Sequence, residues 1–168
     1  MCFFSRLVAG NIAEHEIAKR RAAYSSNEKW FYDEVENIVV FIMRSPRMEK
    51  VKVQSELYID YLNGLITNEA FLEYLEILDS MIVSDFNTLI DIYNSQVSLP
   101  PNPLDPGNRD ILKGVTLEFD ANCSRLAACG LVSMLSMGMN FAITIPNNYI
   151  ITDIGRYFSQ IILRSRSN

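Results

Sequence analysis

The side chains with the widest chemical repertoire are few and scattered. His15 is the single histidine and stands between Glu14 and Glu16. Three adjacent ligand types suggest a metal site, but neighbours on a helix point in different directions, so the run does not converge. Cys2, Cys123 and Cys129 form an odd set without a CxxC pair. That argues against a disulfide framework and for a reducing compartment. Cys123 and Cys129 lie six apart, off one helical face, and read as small buried hydrophobes. Glu56 with Asp60, or Glu118 with Asp120, could serve as acid–base carboxylates, yet no nucleophile or phosphate cradle accompanies them. The chain holds no GxGxxG, P-loop, GxSxG or HExxH run. The expectation is a protein that is not an enzyme and uses neither metal nor cofactor.

Charge gives a stronger signal than catalysis. The net charge of −5 is unevenly spread. Residues 1–52 carry nine basic and seven acidic side chains, and residues 106–168 carry six and four. Between them, residues 53–105 carry nine acidic groups and no Lys or Arg. Glu69, Glu73 and Glu76 are spaced four and three apart, so a helix lines them on one face, with like-charge repulsion of about 0.2–0.5 kcal/mol per pair. Two readings follow. The carboxylates are a solvated face, or they pair internally with Lys19, Arg20 and Arg21 and with Arg44, Arg47, Lys50 and Lys52; alternatively, they steer a basic partner protein. The partner-binding set for the second reading is Glu56, Asp60, Glu69, Glu73, Glu76 and Asp79.

The elements that must position these residues are mostly helices. Residues 11–23 are rich in charge and read as an exposed helix. Ser25-Ser-Asn-Glu28 has the form of a capping box opening a helix to about Met43, with Trp30, Phe31, Val35, Ile38, Val39 and Ile42 inward. Ser45-Pro46 stops it. A helix from about Met48 ends at Asn63-Gly64, Thr67 caps one to about Ile82, and Ser84 with Asp85 caps one through Gln96. Four of the six prolines fall in residues 99–108, a bend or spacer. Then come a short helix at 109–115, a helix from Phe119 to Cys129 stopped by Gly130, a strand at Val132–Met137, a return strand at Tyr149–Thr152, and a last helix capped by Thr152.

From Leu126 to Ile145 the chain is uncharged for twenty residues, long enough for a membrane span. Its glycines, serines and β-branched clusters, and Pro146-Asn-Asn148 at its end, favour a buried hairpin instead. The N-terminal apolar run is short for a signal peptide and lacks a basic leader. A cytoplasmic protein is the expectation.

Ser124-Arg-Leu-Ala-Ala-Cys-Gly-Leu-Val132 and Tyr149-Ile-Ile-Thr-Asp-Ile-Gly-Arg-Tyr-Phe158, in the order helix, hairpin, helix, resemble a winged helix-turn-helix over the last third of the chain. With the acidic helical segment before it, the layout is also similar to the abortive-infection alpha-type domains of bacterial phage-defence proteins. The resemblance implies a mainly α fold: a helical part at 1–98, a proline-rich bend at 99–108 and a winged-helix-like module with a small β-hairpin at 109–168. It also implies a regulator, and raises DNA binding through Asn122, Ser124, Arg125 and Asn147. Affinity for DNA comes largely from Lys and Arg on phosphates. Here the helix before the wing offers Arg125 alone against Glu118 and Asp120, and residues 131–148 carry no charge. The apolar wing suits packing or a homodimer seam. The leading expectation is therefore a protein-interaction module, linked to phage defence or counter-defence, whose acidic face engages a basic partner. The alternative is a dimeric DNA-binding transcription regulator.

Overall fold

The computed structural model describes residues 12–44, 47–97, 117–135 and 148–167. Among these residues the chain is mainly helical, with seven helices and one two-stranded antiparallel hairpin near the C-terminus. The chain divides into two compact units, Met1–Ser80 with Arg164–Asn168, and Met81–Leu163. The proline-rich bend at 99–108 and the short helix expected at 109–115 lie outside the described residues. The helix before the bend belongs to the second unit.

The first unit holds α1 (Glu14–Ser25), α2 (Lys29–Arg44), α3 (Met48–Leu62) and α4 (Asn68–Ser80). Helix α3 is its centre, with ten of fifteen residues buried. Val53 and Leu57 from α3 meet a core that includes Ile38 and Phe41 of α2 and Phe71, Leu75 and Leu78 of α4. Burying each such side chain stabilises the fold by about 1.5–3 kcal/mol. Tyr61 stacks on Phe71 with ring centroids 5.2 Å apart and 11° between planes.

The helix ends explain the turns. After α3, the Gly64 N–H reaches the Tyr61 carbonyl and the Leu65 N–H reaches the Asp60 carbonyl, with Gly64 at φ 70°. This is the left-handed stop that glycine adopts without a Cβ penalty. Residues 25–28 form the same stop. The Asn27 N–H bonds the Tyr24 carbonyl and the Glu28 N–H bonds the Ala23 carbonyl, with Asn27 at φ 55°. This corrects the expected capping box. Ser25 and Ser26 donate back to the Arg21 and Ala22 carbonyls, so their hydroxyls finish α1 rather than start α2. Thr67 does cap α4, its Oγ1 accepting the Ala70 N–H at 3.2 Å.

Helix α2 departs from expectation too. Ile38 and Phe41 are buried, but Trp30, Val35 and Val39 are 39%, 39% and 43% exposed. The apolar set of α2 is wider than the face its neighbours cover.

The second unit holds α5 (Val83–Val97), α6 (Leu117–Ala128), β1 (Val132–Leu135), β2 (Asn148–Ile151) and most of α7 (Asp153–Ser167). α5 packs against α6 and β2, and α6 against β1. Phe86, Leu89, Leu126, Leu131, Phe158, Ile161 and Ile162 are fully buried. The strand pair runs Val132 opposite Ile151 through Leu135 opposite Asn148. At its start α5 differs from the expected cap. Ile82 is the capping position, and the Asp85 carboxylate accepts the Ile82 N–H at 2.8 Å.

Gly130 and Thr152 act as the sequence predicts. The Gly130 N–H bonds the Ala127 carbonyl and the Leu131 N–H bonds the Leu126 carbonyl, Gly130 having φ 72°. Leu126 and Leu131 are both buried, as the hydrophobic contact of this stop requires. Thr152 Oγ1 accepts the Gly155 N–H at 3.0 Å and donates to the Gly130 carbonyl at 2.7 Å. A Cβ on Gly155 would lie 1.9 Å from the Leu131 carbonyl oxygen, so only glycine fits there. The uncharged run from Leu126 thus opens as a helix end, a turn and a strand. Among the described residues no helix is long and apolar enough to cross a membrane.

Candidate interaction surface

The six carboxylates expected to meet a partner separate into two groups. Glu69, Glu73 and Glu76 are exposed along α4, with Leu72 exposed between them. Asp79 is exposed near the end of the same helix. Glu56 and Asp60 are buried, which corrects their assignment to the face. They sit on α3, which is enclosed on most sides, and Asp60 Oδ2 accepts a 2.6 Å bond from Arg164 Nη2. Arg164 belongs to the C-terminal residues that form part of the first unit.

Among the described residues, no ion pair or side-chain hydrogen bond joins Glu69, Glu73 or Glu76 to another group. Two of the basic groups expected to neutralise them act elsewhere. Lys50 Nζ donates to the Asp79 carbonyl at 2.7 Å, a cation at the C-terminal end of α4, where the helix dipole favours it. Arg20 is taken up by Glu16 and Glu34. The Tyr74 hydroxyl is held above the ordinary tyrosine range, by burial first and the Glu73 carboxylate second.

Arg20 heads a cluster that composition does not reveal. Its Nε donates to Glu34 Oε1 at 3.1 Å, its Nη2 approaches Glu34 Oε2 at 3.4 Å, and its Nη1 bonds Glu16. Tyr58 donates its hydroxyl to Glu34 as well, and the guanidinium lies 5.7 Å from the Tyr61 ring centroid. The Glu34 side chain is 8% exposed. Burial, then the Glu34 hydrogen bond, push the Tyr58 hydroxyl well above its ordinary range. The sequence signal was faint: a basic residue in a charged helix and an acid within an apolar one.

The residues of the DNA alternative are placed differently from expectation. Asn122 is buried, its Nδ2 donating to Thr88 Oγ1 at 2.8 Å and its Oδ1 accepting from Arg125. Arg125 also forks onto the fully buried Asp85, with Nη2–Oδ1 at 2.9 Å and Nε–Oδ1 at 3.2 Å. Ser124 is exposed and donates to the Asp120 carbonyl. Asn147 lies outside the described residues. Asn122 and Arg125, two of the four, are therefore engaged by partners within the fold, joining α5 to α6.

The His15 side chain is 79% exposed and approaches Glu16 at 3.4 Å. Among the described residues no group of three or more His, Cys, Asp or Glu side chains could hold a metal ion. Cys123 is buried, and burial with the nearby Asp120 and Asp85 charges pushes its thiol up to about 12. A thiol so shifted is a packing group and a poor nucleophile at neutral pH.

No known protein family, curated protein or solved structure matches this chain.

Proposed function

We propose that the protein is a non-enzymatic interaction module whose acidic α4 face engages a basic partner protein. One observation carries this reading: Glu69, Glu73 and Glu76 share one exposed face and have no internal counter-charge among the described residues. Like charges three and four apart on a helix cost about 0.2–0.5 kcal/mol per pair, and a basic surface would offset that cost. Leu72 on the same face offers an apolar anchor for the contact. The resemblance to abortive-infection domains would set such a module in phage defence or counter-defence. The alternative, a dimeric winged-helix regulator of transcription, has less support, because Arg125 and Asn122 are committed to Asp85 and Thr88.

The test is a triple charge reversal, Glu69→Lys, Glu73→Lys and Glu76→Lys. The variant should keep its helical circular dichroism and melting temperature, since all three side chains are exposed. It should lose the stoichiometric partner that the wild type captures from nuclease-treated host extract. Retained capture would sink the proposal, and capture of nucleic acid alone would move the reading to DNA.

A further inference from the structure

Helix α1 is attached to the first unit in an unusual way. Of its twelve residues only Ala23 is buried. Among the described residues, three further contacts of the helix and its N-terminal flank lie at the surface. Lys19 Nζ is 5.6 Å from the Trp30 ring centroid, Tyr24 meets Phe31 edge-on at 6.1 Å, and the Ala13 N–H reaches Asn63 Oδ1 at 3.3 Å. Against these stands one deep insertion, the Arg20 guanidinium between the Glu34 carboxylate and the Tyr61 ring.

What Arg20 enters has the form of a recognition site for a guanidinium. A carboxylate facing it through both oxygens provides charge and planarity, and an aromatic face stacks on the cation. The Tyr58 hydroxyl donates to Glu34 Oε1, the same oxygen that accepts from Arg20 Nε, and helps to fix the carboxylate's orientation. Glu34, Tyr58 and Tyr61 belong to α2 and α3, not to α1. If α1 lifts away, Glu16 and Arg20 leave together, and the Glu34 carboxylate, the Tyr58 hydroxyl and the Tyr61 ring are uncovered as a site that a second guanidinium fits. Asn27, already in the left-handed region, marks the short turn about which α1 would swing.

We propose that α1 is a displaceable arm, and that Arg20 fills in cis a site that takes the arginine of a basic partner helix. The site is separate from the α4 glutamates and stands whether or not they bind anything. Helix α1 is then an autoinhibitory contact, and the competitor is a helix presenting one guanidinium with little apolar surface, as α1 itself does.

The experiment uses the full chain and two synthetic peptides, residues 12–28 and the same peptide with Arg20→Ala. Hydrogen exchange of the wild type should show α1 amides opening at least about 100-fold more readily than those of α3, because subglobal opening suffices for the arm. Arg20→Ala in the protein should abolish protection of α1 and leave α3 and α4 protected. The wild-type peptide should then bind that variant at least about tenfold more tightly than the Ala peptide does. Adding Glu34→Gln should remove the difference. Peptide binding should be unchanged by charge reversal at Glu69, Glu73 and Glu76, which separates this site from the acidic face. The proposal is overturned if α1 and α3 exchange together in the wild type, if Arg20→Ala leaves α1 protected or unfolds α3 with it, or if the two peptides bind equally.

Discussion

Arg125 shows how a residue's type can mislead about its use. In the sequence it is the one cation of a helix preceding a wing, a natural candidate to meet phosphate. In the fold its guanidinium neutralises Asp85, whose side chain is fully buried and which also accepts the Ile82 N–H that starts α5. Arg125→Ala would strip a buried carboxylate of its partner. We expect a loss of about 2 kcal/mol, less than for a wholly buried pair because Arg125 is 37% exposed and screened. Thermal or urea unfolding measures it, and an unchanged midpoint would refute the structural role. A drop in DNA binding by this variant would therefore not identify a DNA contact. Asp85 was legible as a first-turn acid, while its pairing forty residues away had no local signature. Glu34 and Arg20 were hidden for the same reason, since contact across helices depends on packing and not on spacing.

At the scale of elements, stops and starts that need a particular residue type were readable, and helix faces were less so. Thr67, Gly64, Gly130 and Thr152 act where the sequence placed them, because each meets a backbone requirement few residues satisfy. Ser25-Ser-Asn-Glu28 misled because serine hydroxyls serve either end of a helix, and here they bond to the carbonyls behind them. On α2, periodicity identified the helix but could not say which part of a broad apolar arc is covered. Helix α1 yields a prediction at this scale. The hydrogen bond from Arg20, and secondarily nearby positive charge, hold the Glu16 carboxyl below its ordinary value of 4.5. A depressed carboxyl contributes stability above its unfolded value and loses it as pH falls through the folded one. Exchange protection of α1, corrected for intrinsic rates, should therefore be steady from neutral pH to about 5 and decline below the ordinary carboxylate range. Protection that is flat down to strong acid would show that Glu16 does not help hold the arm.

Across the whole molecule, the charge layout was fully legible and its consequence only partly so. The basic-free stretch from residue 53 to residue 105 supplies both the exposed α4 glutamates and the buried Asp60 and Asp85. Composition does not separate acids that project a field from acids consumed by a partner within the fold. Only the former steer association. Binding of a basic partner should therefore slow by about tenfold or more as salt rises from ~0.05 to ~0.5 M, since the Debye length falls well below 10 Å over that range. Stopped-flow association tests this, and a salt-independent rate would argue for an apolar contact instead. The mainly α fold and the C-terminal hairpin were legible from periodicity and turn residues. The α5 helix packs with α6 and β2, which no linker composition could reveal.

The closeness of Gly155 to the Leu131 carbonyl reaches into the ancestry of the chain. A methyl group there cannot be accommodated without moving the backbone of β1 or α7. Thr152 and Gly130 are tied to the same spot by their hydrogen bonds and left-handed turn. A lineage that keeps this hairpin has no room for a side chain at Gly155, needs a residue at home in the left-handed region at Gly130, and needs at Thr152 a hydroxyl that both donates and accepts. Kinship too distant for overall similarity would survive as a glycine, a threonine twenty-two residues on, and a second glycine three further along.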